Sequence, residues 1–317
     1  MNITKEEFRF DSRDGKTQLY ATSWAPDTEP LAVVQIIHGM NEYIDRYDRF
    51  ARFLAEQGFY VTGEDHLGHG KSVPEGGTFG YFCENDAATV LVRDVHRLKK
   101  MTQEKLGEQI PYFILGHSMG SIMLRNYLLR YGKGIDGAII MGTGTVPMPL
   151  LAASQLITKS LIAVKGPKHI SKKVVSLCFG KYLDHIEQPV TLYDWVNSDE
   201  EELDKYVKDP LCTGFTFCVE GFDTLVEMSR RMQLKNLMTR IPQKLPILIA
   251  SGTEDPVGAW GKDPQELYDT YLNLGLSRVS IKMYPGMRHE ILNEKDRDRV
   301  FEDIYHWLRQ QLTAVSP

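Results

Sequence analysis

Cysteine is scarce in this chain, four among 317 residues (Cys83, Cys178, Cys212 and Cys218), without metal-ligand spacing and too few for a dense disulfide framework. Reduced thiols in a cytoplasmic protein are the expectation. Positive charge is in short supply as well: 37 Lys and Arg face 42 Asp and Glu, a net charge of −5, with a pI near 6.0. Phosphate backbones need clustered cations, so nucleic acid is not an expected partner. No apolar run is long enough to span a bilayer, and Met1 to Phe8 has no apolar stretch behind a basic one, so no secretory signal is read. Internal repeats and low-complexity linkers are missing too. What is there is ordinary for a globular protein, 42% hydrophobic and 25% charged residues. The length allows one large α/β domain with an insertion, or two domains.

The most informative stretch is Leu115-Gly116-His117-Ser118-Met119-Gly120. The apolar run Ile110 to Leu115 precedes it, and a helical pattern from Ser121 to Leu129 follows. G-x-S-x-G between a strand and a helix is the context of a nucleophile elbow. Such a tight turn packs backbone on backbone at Gly116 and Gly120 and forces the serine into strained φ/ψ. The bland alternative is a glycine-bearing turn with an incidental serine.

The flanking chain alternates strand and helix. Phe8 to Phe10 and Leu19 to Trp24 read as an antiparallel pair. Leu31 to Ile37 is a near-continuous apolar run, typical of a strand covered on both faces. Helix Arg46 to Gln57, strand Phe59 to Gly63, helix Asp86 to Leu106, strand Tyr112 to Leu115, helix Ser118 to Tyr131 and strand Gly137 to Met141 follow. This spacing predicts an α/β fold with a doubly wound, mostly parallel sheet. The alternation stops near Thr145 and resumes near Pro242. Residues 145–236 are therefore expected to form a helical cap inserted into one core domain made of 1–144 and 237–317.

A serine needs a base, and the base needs an orienting acid. On a parallel sheet both follow the elbow, in loops at carboxyl ends of later strands. The strand ending at Ala250 leads into Ser251-Gly252-Thr253-Glu254-Asp255-Pro256, which makes Asp255 the expected acid and Glu254 its substitute. His289, just beyond the final strand Val279 to Tyr284, is the expected base. His306 sits in a helix, and His169 and His185 sit in the cap. The expected oxyanion donors are the backbone amides of Met119, directly after the nucleophile, and Met40, in the loop His38-Gly39-Met40-Asn41. His66 and His69 share a glycine-rich loop but lack a third ligand at suitable spacing, so neither metal nor cofactor is expected.

With these residues in view, His38-Gly39-x-x-Glu42-x-x-x-Arg46-Tyr47, Asp65-x-x-Gly68-x-Gly70-x-Ser72, Gly116-His117-Ser118-Met119-Gly120 and Gly252-x-x-Asp255 resemble the monoacylglycerol lipase and lysophospholipase branch of the serine α/β-hydrolases, a group also described as serine aminopeptidases. The resemblance implies an α/β-hydrolase fold and hydrolysis of a monoacyl lipid-type ester, with the acyl chain under the cap. It implies a substrate-binding set of Glu42, Arg46, His117 and Leu292, the alcohol lying near Glu42 and Arg46. Leu292 stands where eukaryotic relatives carry a second histidine. Glu42 and Arg46, spaced i, i+4, read equally as an ion pair fixing the oxyanion loop.

In the cap, Leu150, Ala153, Ile157, Leu161 and Val164 share one helical face, with Gln155, Thr158 and Lys159 opposite. This stripe suits the cap's own core, a roof over an acyl pocket, or transient contact with a membrane surface. The acidic run Asn197 to Asp204 reads as a helix start, with Ser198 and Glu201 as a capping box. It also keeps an aminopeptidase or amidase open, since cap carboxylates can hold a free amine. A non-catalytic ligand-binding protein of hydrolase shape is the reading from another class. Oligomeric state is not legible.

Overall fold

The computed structural model describes residues 2–313. Eight strands form one sheet: β1 (Ile3–Asp11), β2 (Gln18–Pro26), β3 (Ala32–Ile37), β4 (Phe59–Glu64), β5 (Tyr112–His117), β6 (Gly137–Met141), β7 (Ile247–Gly252) and β8 (Val279–Tyr284). Their order is β1-β2-β4-β3-β5-β6-β7-β8. β1 and β2 pair antiparallel, as do β2 and β4, and every later pairing is parallel. The first strand runs well beyond its expected apolar stretch, Phe8 to Phe10, while the second is close to its own. Polar residues such as Lys5, Glu6 and Glu7 continue β1, where a charged edge also discourages pairing with another chain.

β3 to β7 are buried along their whole length, because helices cover both faces. Side-chain alternation splits each strand between two apolar layers. Val33, Ile37, Tyr112 and Ile114 face the layer that holds Val95 and Leu98 of α2 (Ala87–Leu106; α1 is Asp48–Glu56) and Met123, Leu124 and Tyr127 of α3 (Met119–Tyr131). Val34, Ile36, Phe113 and Leu115 face the other, with Phe50 and Leu54 of α1. Each such side chain contributes roughly 1.5–3 kcal/mol when fully buried. Gln35 is the polar intruder. Its amide donates to the Val95 carbonyl at 3.0 Å and accepts from the Tyr112 hydroxyl at 2.6 Å.

Between β6 and β7 the chain has no strand. It forms α4 (Met148–Lys165), α5 (Lys172–Phe179), α6 (Glu200–Lys208), α7 (Pro210–Thr213), α8 (Val219–Arg231) and α9 (Lys235–Met238). α10 (Lys262–Asn273) joins β7 to β8, and α11 (Arg297–Thr313) closes the described chain. No helix among the described residues is long and apolar enough to cross a membrane. All four cysteines are free thiols.

Two expectations for this segment are corrected. α4 does not bury its apolar stripe as a core of the cap: Leu161 packs inward, but Leu150 is 56% and Val164 81% exposed, while Leu151 and Thr158 are buried. Polar bonds set this rotation, since Thr158 donates to Asp223 at 2.5 Å and Gln155 to Glu227 at 3.0 Å, both on α8. The cap of α6 is Asp199, which accepts from the Glu201 and Glu202 amides, because Ser198 is engaged with Glu294 instead.

The sheet order fixes where a site can form. β3 has β4 on one side and β5 on the other, so the loops leaving β3 and β5 part at a topological switch point. The register sets Ile37 beside Gly116, which brings the loop after β3 against the turn after β5.

Candidate active site

Ser118 lies between β5 and α3 with φ 54° and ψ −121°, a strained conformation for a residue with a side chain. Its neighbours over-determine it. The Ser118 N–H donates to the Met141 carbonyl at 3.0 Å, and its carbonyl accepts from the Ser121 amide at 2.9 Å and the Ser121 hydroxyl at 2.6 Å. A methyl group on Gly116 would overlap the Gly120 carbonyl, and one on Gly120 would overlap the Ile37 carbonyl. Only glycine lets the elbow close on β3.

The loop after β7 supplies Asp255 and the loop after β8 supplies His289, both buried. His289 Nδ1 lies 3.0 and 2.9 Å from the two carboxylate oxygens of Asp255. The Val257 amide holds one of those oxygens at 2.9 Å, while Glu254 faces solvent. Gly142 follows Met141 with φ 56°. A Cβ there would come within 3.1 Å of both His117 Cδ2 and His289 Cε1, so the base loop stands beside the elbow. Of the other histidines, His306 is exposed on α11, and His185 stacks on Trp260 at 3.9 Å.

Met119 opens α3, so its N–H is among the first-turn amides with no intrahelical acceptor. Met40 follows Gly39, whose own Cβ would fall 2.8 Å from Ser118 Cβ. Both expected oxyanion donors therefore sit on segments touching the serine. Beneath them His38 and His66 stack at 3.9 Å, with His69 at 5.2 Å from His38. Burial and the neighbouring histidines push His38 well below the usual imidazole range, and burial takes His69 down to about 3. Both rings are thus neutral supports of the loop.

Of the four residues expected at the substrate, Glu42, His117 and Leu292 are buried and Arg46 is half-buried. Leu292 belongs to the core layer of Ile291 and Phe301. Glu42 Oε1 accepts from the Gly39 amide, from the Tyr47 hydroxyl at 3.0 Å and from His117 Nδ1 at 2.9 Å. Arg46 bonds Glu42 Oε2 at 3.3 Å and grips both oxygens of Glu290 at 2.5 and 2.8 Å. Burial alone would raise the Glu42 pKa, but the His117 and Arg46 charges and its hydrogen bonds bring it down to about 2. Burial disfavours a charged His117, and Glu42 outweighs it, raising that pKa. His117 Nε2 faces the His289 carbonyl at 3.2 Å. Both ring nitrogens therefore face acceptors, which only an imidazolium satisfies.

Glu290 was not singled out from the sequence, although a carboxylate directly after the candidate base was visible there. Nor was Trp195, whose ring centroid lies 5.2 Å from that of His289. Residues 194–215 are stitched to the site at several points. Asn41 donates to the Cys212 and Phe215 carbonyls at 2.8 and 3.0 Å. Tyr43 donates to Asp209 at 2.6 Å, Arg288 to the Asp194 carbonyl at 2.6 Å, and the Glu290 amide to the Val196 carbonyl at 2.9 Å.

A family model described as serine aminopeptidase, S33, matches residues 28–296. A monoacylglycerol lipase of Mycolicibacterium smegmatis is 26% identical, covering 98% of this chain and all of the relative. The human monoglyceride lipase is 25% identical over 94% of this chain and 89% of its own. Among solved structures, a thermostable carboxyl esterase from Bacillus coagulans in complex with glycerol superposes with a TM-score of 0.91 at 30% identity, covering 98% of this chain and 99% of that one. The chain belongs to the serine aminopeptidase S33 family and has the α/β-hydrolase fold.

Proposed function

We propose that the protein is a serine carboxylester hydrolase cleaving monoacyl lipid-type esters through an acyl-enzyme. The carrying observation is the buried Asp255–His289 pair, whose loop meets the ring of His117 next to a strained, half-buried Ser118. Asp255 holds Nδ1, leaving Nε2 for the serine. His289 takes the Ser118 proton as Oγ attacks the ester carbonyl, and the Met40 and Met119 amides receive the oxyanion. The alcohol leaves with the proton from His289. Water, deprotonated by the same ring, then releases the acid and restores Ser118. No cofactor enters this cycle. The relatives named as monoacylglycerol lipases and the esterase carrying glycerol support the substrate class.

In this reading residues 145–236 are a cap over a core of 1–144 and 237–317. The acyl chain lies between them, near Trp195. The outward apolar side chains of α4 make transient contact with the lipid surface that supplies substrate. Aminopeptidase action, the second reading, is favoured by the family's description. Against it, three of the five carboxylates in the acidic run are already engaged: Glu202 pairs with Arg49 and Lys205, Asp204 with Lys208, and Asp199 with Arg297. The test is fluorophosphonate labelling, followed by turnover of p-nitrophenyl esters of rising chain length beside aminoacyl anilides. Labelling lost in Ser118→Ala, with esters preferred, is expected. Faster anilide cleavage overturns the ester reading, and an unlabelled wild type overturns the enzyme and favours a binding protein.

A further inference from the structure

The buried charges beside the elbow form a closed circuit. His289 is followed in the chain by Glu290, which Arg46 grips with both arms of its fork. Arg46 reaches Glu42. Glu42 holds the Gly39 amide and His117, and His117 returns to the His289 carbonyl. Two carboxylates, one guanidinium and one imidazolium sum to no net charge, which makes their burial tolerable. A bidentate guanidinium–carboxylate pair fixes direction as well as distance. The circuit thus spans the loop after β3, the elbow and the loop after β8, which would otherwise be separate surface connections.

We propose that Glu290 and Arg46 are positioning residues whose ion pair locks the base loop to the oxyanion loop. The proposal rests on the assignment of Ser118, Asp255 and His289 above. It replaces a substrate contact for Arg46 with an action through other groups. The side chains of Arg46 and Glu290 are only 12% and 6% exposed, and the outer face of the guanidinium is covered by the Tyr206 ring, 4.8 Å away. Both terminal nitrogens of the guanidinium and both oxygens of Glu290 are engaged within the protein, by the loops that carry His289 and Glu42. The separation of Arg46 and Glu290 in sequence, 244 residues, lets one contact tie together the two ends of the catalytic apparatus.

The test is kcat and KM on a short soluble p-nitrophenyl ester, with kcat expressed per fluorophosphonate-labelled serine. The variants are Glu290→Gln, Arg46→Lys and the Arg46→Gln/Glu290→Gln double. Loosening a catalytic group by an ångström costs up to about a hundredfold in rate. Glu290→Gln is expected to lose about 10- to 100-fold in kcat with KM within about twofold, and Arg46→Lys, which loses the fork, somewhat less. The double variant should lose no more than the worse single one, since both remove the same link. Per-site kcat within twofold of wild type, with only the melting temperature lowered, overturns the proposal. So does a raised KM at unchanged kcat, which returns Arg46 to the substrate, and so do additive losses in the double variant. A wild type that resists labelling instead fails the assignment of the serine, a separate outcome.

Discussion

Glu254 and Asp255 are adjacent carboxylates with opposite surroundings, one in solvent and one sealed against His289. Asp255→Asn should lower kcat by about 10⁴-fold through the wrong imidazole tautomer, and Glu254→Gln should leave steady-state turnover unchanged. Wild-type rates in Asp255→Asn would move the role to Glu254. Gly39 is equally exacting, because a methyl group there would sit 2.6 Å from Glu42 Oε1 and 2.8 Å from Ser118 Cβ. Gly39→Ala should therefore displace the Met40 amide and reduce kcat about a hundredfold, with about 1–3 kcal/mol lost in urea unfolding. At this scale the sequence was readable wherever a placement follows from position along a strand, as for Asp255 and His289, which meet from the loops after β7 and β8. It was unreadable for Glu290, whose partner Arg46 is set by the meeting of two distant loops.

Helices and strands were legible where periodicity met a core on a known side. β3, β5 and β6 come close to their apolar runs, and α2 starts beside the expected Asp86. Faces and caps were less legible, since they depend on polar partners elsewhere in the chain. Thr158 turns α4 over by bonding Asp223, and Glu294 takes Ser198 away from capping. α8 carries a similar long-range tie. Glu220 accepts the Phe82 amide at 2.9 Å and the Thr224 hydroxyl at 2.8 Å. Burial, only partly offset by these bonds, pushes its pKa up to about 7. The folded protein then holds this proton more tightly than the unfolded chain. Its stabilising contribution is complete below the unfolded pKa near 4.5 and fades as pH rises through 7. Glu220→Gln, which keeps an acceptor for Phe82, should thus be more stable than wild type at pH 8, by on the order of 2 kcal/mol. The difference should vanish by about pH 4.5. Thermal melts across that range check it, and a variant equally destabilised at both ends would contradict it.

Across the whole molecule, the polar and apolar surfaces are divided. Net negative charge spreads over a surface rich in ion pairs, whereas Leu150, Leu156, Ile157 and Val164 of α4, with Leu177, Val190 and Leu192 nearby in the chain, stand exposed. The segment thus has two halves. Residues 194–215 are bonded to the loops around Ser118, and residues 148–192 carry the bare hydrophobics. Exposed side chains of this kind are each worth roughly 1.5–3 kcal/mol when buried, and a lipid surface is the expected place where they are covered. Leu156→Glu/Val164→Glu removes two of them, 71% and 81% exposed, and adds two charges that an interface disfavours. Flotation with phosphatidylcholine vesicles should show binding about a hundredfold weaker for this variant, while kcat on a short soluble ester stays within twofold, because neither side chain reaches the loops that hold His289. Equal flotation of variant and wild type would assign the exposed face of α4 no lipid contact, and the substrate would then reach Ser118 from solution.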